Sequence, residues 1–360
     1  MKKVIVFVFM MSLILSTLIS CNFFNPISIT FGNNFCNVNL LCGACDDKNY
    51  VYFIAKDKKI MRISKESGTV TDMGVSTDFL GTLSIVDEYL YLNSAEYSGD
   101  ECFITPCKIN LDKTKEITCF DYKTTSVSSV GDPVIIIDDT IYFNGGFQKI
   151  NKDGTGGTAI DDHQYRVIGV ENNAIYAYII ADEETEKIIE NGLHQQMKWL
   201  YKLSSNWKIE QKLFQFCFES QYPHGDGSFT GLVIFSVTFG EYMYSIMPSI
   251  GDPDNFVGFC DFQLYRNKLS KNSEKEILHD FGNNYARILA VTEDGIYFYT
   301  EEANTHNISN IHRVNHDGTN MEELPYKYDV YNFDTNGYYF VSNVDEKLYG
   351  IIDNKIFLIQ

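Results

Sequence analysis

The chain has 360 residues and a formal net charge of −19, with 24 Tyr, 26 Phe and only 7 Pro. So large an excess of acid argues against nucleic acid and against direct adhesion to anionic headgroups, since both carry like charge. The aromatic bias favours sheets over helices and argues against a disordered chain.

The N-terminus reads Met1-Lys2-Lys3, then an apolar run from Val4 to Leu18 broken only by Ser12, Ser16 and Thr17. Two positive charges ahead of a short apolar core describe a bacterial secretory leader. The core falls short of the roughly 20 apolar residues a comfortable transmembrane helix needs. It ends at Leu18-Ile19-Ser20-Cys21, which resembles the lipobox of bacterial lipoproteins. The resemblance implies that residues 1–20 are removed and that Cys21 becomes the lipid attachment site and first mature residue. Each buried methylene contributes about 0.8 kcal/mol, so two or three acyl chains hold firmly where one holds reversibly. The expected location is the cell membrane, lipid-anchored, on the extracytoplasmic face. Losing Lys2 and Lys3 with the leader takes the charge from −19 to −21. An ordinary cleaved signal or an uncleaved anchor, with Cys21 there by chance, is the competing reading. Residues 21–36 then form the lipidated N-terminus and tether, and 37–360 the folded domain.

Beyond Cys21 lie eight cysteines: 36, 42, 45, 102, 107, 119, 217 and 260. In an exported chain they are compatible with up to four disulfides. Cys102 and Cys107, five residues apart, are a pair that could close a small loop. Cys42-Gly-Ala-Cys45 has redox spacing, but the β-rich Tyr50-Val-Tyr52-Phe53 follows where a redox motif wants a helix. With no second CxxC it is not half of a zinc site, so a structural disulfide or plain thiols are expected.

From residue 50 onward the chain repeats itself. Short aromatic strands recur at Tyr50–Phe53, Tyr89–Leu92, Ile141–Phe143, Ile175–Tyr178, Tyr242–Tyr244, Ile296–Phe298 and Tyr338–Phe340. Their aligned tyrosines (52, 91, 142, 176, 244, 297 and 339) are spaced by about 48 residues on average, near one propeller blade. A second strand follows each, with alternating apolar and basic or polar residues: Lys59–Ile63, Cys107–Leu111, Phe147–Ile150, Trp199–Leu203, Leu264–Leu269 and Ile311–Val314. That period of two marks one buried face. The seventh unit shortens to Lys347–Ile352. Turns recur too: Lys149-Ile-Asn-Lys-Asp153-Gly154-Thr155 and Arg313-Val-Asn-His-Asp317-Gly318-Thr319 share one frame, in which Asp-Gly supplies positive φ for a tight hairpin.

Such units cannot bury their faces alone and must stack, and radial closure removes most sheet edges. The expected fold is therefore an all-β propeller of seven blades over residues 37–360. The long interval between Tyr176 and Tyr244 leaves six or eight open. The frame of aromatic strand followed by basic-apolar-Asn-x-Asp-Gly-Thr resembles bacterial propellers related to the YWTD domains of low-density lipoprotein receptors. No unit contains the Tyr-Trp-Thr-Asp tetrapeptide itself.

Two excursions interrupt the repeats. Asp182–Asn191 reads as a charged insertion between strands, open to a helical form, and Met247–Phe256 as a long loop. Rim loops are where propellers usually bind, which makes these the places to look. Chemistry is harder to find. His306, His312 and His316 cluster in sequence, but on a strand entering a hairpin they need not converge on a metal. The acid pairs Asp46-Asp47, Asp138-Asp139 and Asp161-Asp162 sit at strand ends, where Asp commonly caps structure. No nucleophile elbow, phosphate loop or full calcium loop is present. No catalytic residue, cofactor or metal site is assigned. The sequence favours a tethered binding module for an envelope protein, peptide or glycan. The alternatives are a glycan-active hydrolase or lyase using the central channel, and a structural subunit of an envelope complex.

Overall fold

The computed structural model describes residues 29–30, 43–55, 57–76, 82–98, 101–112, 116–121, 124–125, 134–137, 139–143, 148–159, 165–180, 186–190, 193–223, 229–233, 236–249, 261–302, 308–327, 338–352 and 355–359. Among them every regular element is a strand, and no helix is long and apolar enough to cross a membrane. The leader, Cys21 and the tether up to Ser28 lie outside the described residues.

A two-residue strand, β1 (Ile29–Thr30), precedes seven antiparallel sheets in chain order. Blade one is β2 (Ala44–Asp46), β3 (Tyr50–Ile54), β4 (Lys59–Ser64) and β5 (Val70–Ser76). Blade two is β6 (Ser84–Val86), β7 (Tyr89–Ser98), β8 (Glu101–Asn110), β9 (Ile117–Cys119) and β10 (Thr124–Thr125). Blade three is β11 (Ile135–Ile137), β12 (Thr140–Phe143), β13 (Gln148–Asn151) and β14 (Thr158–Ala159). Blade four is β15 (Tyr165–Glu171), β16 (Ala174–Ile179), β17 (Glu186–Glu190), β18 (Leu193–Leu203), β19 (Ile209–Pro223) and β20 (Phe229–Val233). Blade five is β21 (Ser236–Phe239), β22 (Tyr242–Ser249), β23 (Asp261–Lys268) and β24 (Lys275–Asp280). Blade six is β25 (Tyr285–Thr292), β26 (Gly295–Glu301), β27 (Asn310–Val314) and β28 (Glu322–Lys327). Blade seven is β29 (Tyr338–Val341), β30 (Leu348–Ile352) and β31 (Lys355–Leu358). The first strands of neighbouring blades approach one another (β2 with β6, β15 with β21, β21 with β25, β25 with β29, β29 with β2), so they surround the axis. The chain is a seven-bladed β-propeller.

The sequence repeat has a structural cause. In six blades the aligned tyrosine lies opposite a basic residue of the next strand: Tyr52 faces Arg62, Tyr91 Lys108, Tyr142 Lys149, Tyr176 Lys202, Tyr244 Arg266 and Tyr297 Arg313. The tyrosines are buried between blades. In three blades the basic head lies over the ring of the tyrosine two residues earlier, with Arg62 4.8 Å from Tyr50, Lys108 4.7 Å from Tyr89 and Arg266 4.9 Å from Tyr242. Each then reaches the following blade: Arg62 donates to the Leu111 carbonyl at 3.5 Å, Lys108 to Lys152 at 2.9 Å and Arg266 to His316 at 2.7 Å. A cation–π contact contributes about 0.5–1 kcal/mol where exposed. The basic position therefore ties one blade to the next as well as facing its own tyrosine. The two Asn-x-Asp-Gly-Thr turns close as expected: Asp153 accepts from the amide and hydroxyl of Thr155, and Asp317 from those of Thr319. Gly154 and Gly318 take φ of 88° and 81°.

The seventh unit departs from the expected phase. Tyr338-Tyr339-Phe340 is the axial first strand, because β29 touches the axial strands β2 and β25 on either side. Tyr339 faces Gly350 rather than a basic residue. A Cβ at Gly350 would meet the Phe357 ring at 2.3 Å, so only glycine fits.

Ring closure falls to Asp46, the last residue of β2, which is 2% exposed. Its Oδ1 accepts the Asn343 amide at 2.6 Å, and its Oδ2 accepts the Ser342 hydroxyl at 2.6 Å and Lys65 Nζ at 2.5 Å. Beside it Ala44, Val51, Phe53 and Ile63 of blade one pack with Phe340 and Ile351 of blade seven. A carboxylate this deep is tolerable only when paired and hydrogen-bonded.

Among the described residues a disulfide joins Cys107 to Cys119, so Cys107 is not paired with Cys102. Cys107 faces Cys119 directly across β8 and β9, whereas Cys102 sits five residues away on the same extended strand and faces Tyr97. Cys45 is buried within β2, ahead of a turn and a second strand, which is no redox setting.

Candidate functional site: the loop face of the disc

Antiparallel meanders divide the connections between two faces. First-to-second and third-to-fourth strand turns open on one face and span only two to seven residues. Second-to-third and blade-to-blade connections open on the other. The strands flanking the longest connections (126–134, 250–260, 302–309 and 328–337) all end at that face. One face is thus tight and the other variable.

Blade four rises furthest above the loop face. Only the last residues of β18 (Tyr201–Leu203) pair with β16. Above them β18 continues between β17 and β19, and β19 continues to β20. The result is an arm in the order β17-β18-β19-β20. The charged insertion expected at 182–191 therefore includes a strand over Glu186–Glu190 where a helical form had been left open; 181–185 and 191–192 lie outside the described residues. That strand pairs with β18 from Glu186 opposite Met197 to Glu190 opposite Leu193.

The arm is pinned at its base. Lys198, only 5% exposed, donates to the Ile180 carbonyl at 2.6 Å and lies 5.8 Å from the Phe218 ring. Gln215 donates to Glu186 at 3.1 Å, and Gln195 reaches the Pro248 carbonyl of blade five at 3.3 Å. Cys217, Met247 and Tyr265 form a small core there, with Met197 against it. Burial pushes the Tyr265 hydroxyl up to about 12. Of the expected Met247–Phe256 loop, Met247–Ser249 is strand and the remainder lies outside the described residues. Both excursions are visible in the sequence, but that they adjoin is not.

The tight face carries a buried carboxyl, Glu171, at the end of β15. Burial pushes the Glu171 carboxyl up to about 7, with the Glu346 charge of blade seven adding to it. Thr238 donates to Glu171 at 3.4 Å, and its hydroxyl occupies the space a Cβ on Gly169 would need. Asp47 accepts from the Asn49 and Tyr50 amides and the Tyr52 hydroxyl, the capping expected of it. Asp139 receives Lys152 N–H at its carbonyl. Asp138, Asp161 and Asp162 lie outside the described residues.

His312 and His316, the described members of the sequence cluster, are held by different partners. His316 uses both ring nitrogens, on the Tyr244 hydroxyl at 3.0 Å and the Thr292 carbonyl at 2.8 Å, and stacks on Phe239. His312 stacks instead on Phe298, and His306 lies outside the described residues. Burial lowers the pKa of both His279 and His312. Among the described residues no three His, Cys, Asp or Glu side chains group as metal ligands.

The class of protein is set by this topology: a seven-bladed propeller with an arm on one face. No family model and no curated protein matches the sequence, so the likeness to the YWTD class rests at propeller architecture. Among solved structures, an oligogalacturonate lyase from Vibrio parahaemolyticus aligns at TM-score 0.43 and 10% identity, over 71% of this chain and 73% of that one. YCF48 bound to D1 peptide aligns at TM-score 0.43 and 9% identity, over 94% and 96%. The β-propeller domain of the Trilobed protease from Pyrococcus furiosus aligns at TM-score 0.39 and 10% identity, over 77% and 84%.

Proposed function

We propose that the protein is a binding module, held at the extracytoplasmic face of a membrane by lipid on Cys21, that presents its loop face to a protein, peptide or glycan. The observation that carries this reading is the asymmetry of the disc. Long connections and the blade-four arm gather on one face, over a frame whose blades are tied together by repeated basic–carbonyl contacts. Rigid scaffold beneath variable loops is the arrangement binding uses. The leader and Cys21 motif supply the address.

The test is an envelope cross-linking pull-down with full-length tagged protein, beside Cys21→Ala and a variant in which residues 186–197 are replaced by a short Gly-Ser turn. One partner near stoichiometry, lost in both variants, supports the reading. Capture that survives loss of the arm excludes the arm as the contact.

A glycan-active hydrolase or lyase using the channel is the second reading. It is favoured by Glu171, whose carboxyl burial raises to about 7, with the Glu346 charge adding to the shift. Against it stands β1, which takes up part of the axial space.

A further inference from the structure

The axial edge of blade three is already occupied. β11 pairs with β12 on one edge and with β1 on the other, in the order β1-β11-β12-β13-β14. Since first strands surround the axis, β1 lies in the channel. Its direction is fixed by register: Ile29 faces Ile137 and Thr30 faces Ile136, antiparallel. β11 runs toward the tight-turn face, so Ile29 is the end of β1 nearer that face and Thr30 the end nearer the loop face. The next strand agrees with that direction, because β2 begins at the loop face.

Chain length then limits the anchor. Cys21 precedes Ile29 by eight residues, which extended span at most about 28 Å. The tight-turn face, nearer Ile29, bears a carboxylate in or beside each of its seven first-to-second turns, from Asp47 of blade one to Glu346 of blade seven. Anionic headgroups repel such a face, while the short tether keeps it near.

We propose that Ile29–Thr30 is a built-in strap: it takes the axial edge of blade three, closes that edge to any other strand, and sends the tether out through the tight-turn face. The loop face and its arm then point away from the lipid. The orientation half rests on the lipid-anchor reading; the strap does not.

Hydrogen exchange on the mature-length chain with Cys21→Ser, compared with Thr30→Pro and with a deletion of residues 22–32, tests the strap. The Ile136 amide, which faces β1, is expected to exchange at least tenfold faster in both variants, with the Ile137 amide, which faces β12, and blades five and six unchanged. Unchanged exchange at Ile136 overturns it. Should both variants loosen every blade, a benzoylphenylalanine photocross-linker at position 30 decides: bonds to residues 134–143 support the strap, and bonds elsewhere overturn it. Orientation is read on lipidated protein in phosphatidylcholine–phosphatidylglycerol vesicles with spin-labelled headgroups. A fluorescent residue at Glu293 should be quenched at least twofold more than one at Gln195, and the reverse overturns the orientation. Failure of the lipidated protein to associate with vesicles counts against the anchor alone, since the exchange result judges the strap separately.

Discussion

Asp46→Ala should weaken the ring at its single seam between blades one and seven. The variant loses three acceptor contacts at once: the Ser342 hydroxyl, the Asn343 amide and Lys65 Nζ. A hydrogen bond to a charged group contributes about 1.5–3 kcal/mol, and removing one partner of a buried ion pair costs about 3–5 kcal/mol. Lys65 is 29% exposed and rehydrates once its partner is gone, whereas the hydroxyl and amide of the seam stay half-buried or buried. The expected loss is therefore about 3–4 kcal/mol. Asp46→Asn should cost less, about 2 kcal/mol, because one oxygen still accepts. The control is Asp87→Ala, which breaks an ion pair with Lys152 at 3.2 Å in which the acid is 65% exposed. Such a pair contributes at most about 1 kcal/mol. Urea unfolding followed by tyrosine fluorescence and circular dichroism reads all three. Equal midpoints for Asp46→Ala and Asp87→Ala would refute the latch.

Stability should respond to pH with two opposing signs. His279 and His312 are held below their ordinary pKa by burial, so the unfolded chain takes up protons first and stability falls as pH drops below about 6.5. Glu171, pushed up to about 7 from 4.5, stabilises fully below pH 4.5 and loses that contribution as pH rises through 7. Glu171→Gln should therefore gain relative stability above pH 7 in a pH series of urea midpoints, and an unchanged profile contradicts its burial. Gly169→Ala places a Cβ 1.5 Å from the Thr238 hydroxyl, and overpacking of this kind costs about 1–3 kcal/mol or more, visible in the same midpoints. Cys107→Ser opens a bridge between residues 12 apart in sequence, which should remove about 2–3 kcal/mol in the same midpoints.

The propeller was legible because its repeat is local chemistry repeated. A tyrosine facing a basic residue, then a tight polar turn, leaves the same trace in six units, and the register explains why the spacing between those two residues varies only with the length of the intervening loop. The seventh unit misled for the same reason. Tyr338-Tyr339-Phe340 carries the composition of a second strand, and nothing local distinguishes an axial strand from its neighbour; only contact with β2 and β25 does. Cys107–Cys119 was hidden likewise, since pairing across strands depends on register and not on proximity in sequence.

The acid pair Asp46-Asp47 shows where local reading stops. Asp47 does what a turn acid does, accepting from the residues just after it. Asp46, its neighbour with the same side chain, accepts from residues nearly 300 positions later. Asp46 is the last residue of β2 and faces the seam, whereas Asp47 already belongs to the turn that follows and caps it. Closing the ring thus uses a charge the sequence presents as an ordinary cap. Its burial is tolerated because Ser342 and Asn343 belong to the one first-to-second turn that extends to six residues, Ser342–Lys347. That longer turn lets the last blade fold back over the first, and a shorter one like the two-residue turns of blades two and five would leave Asp46 with Lys65 alone.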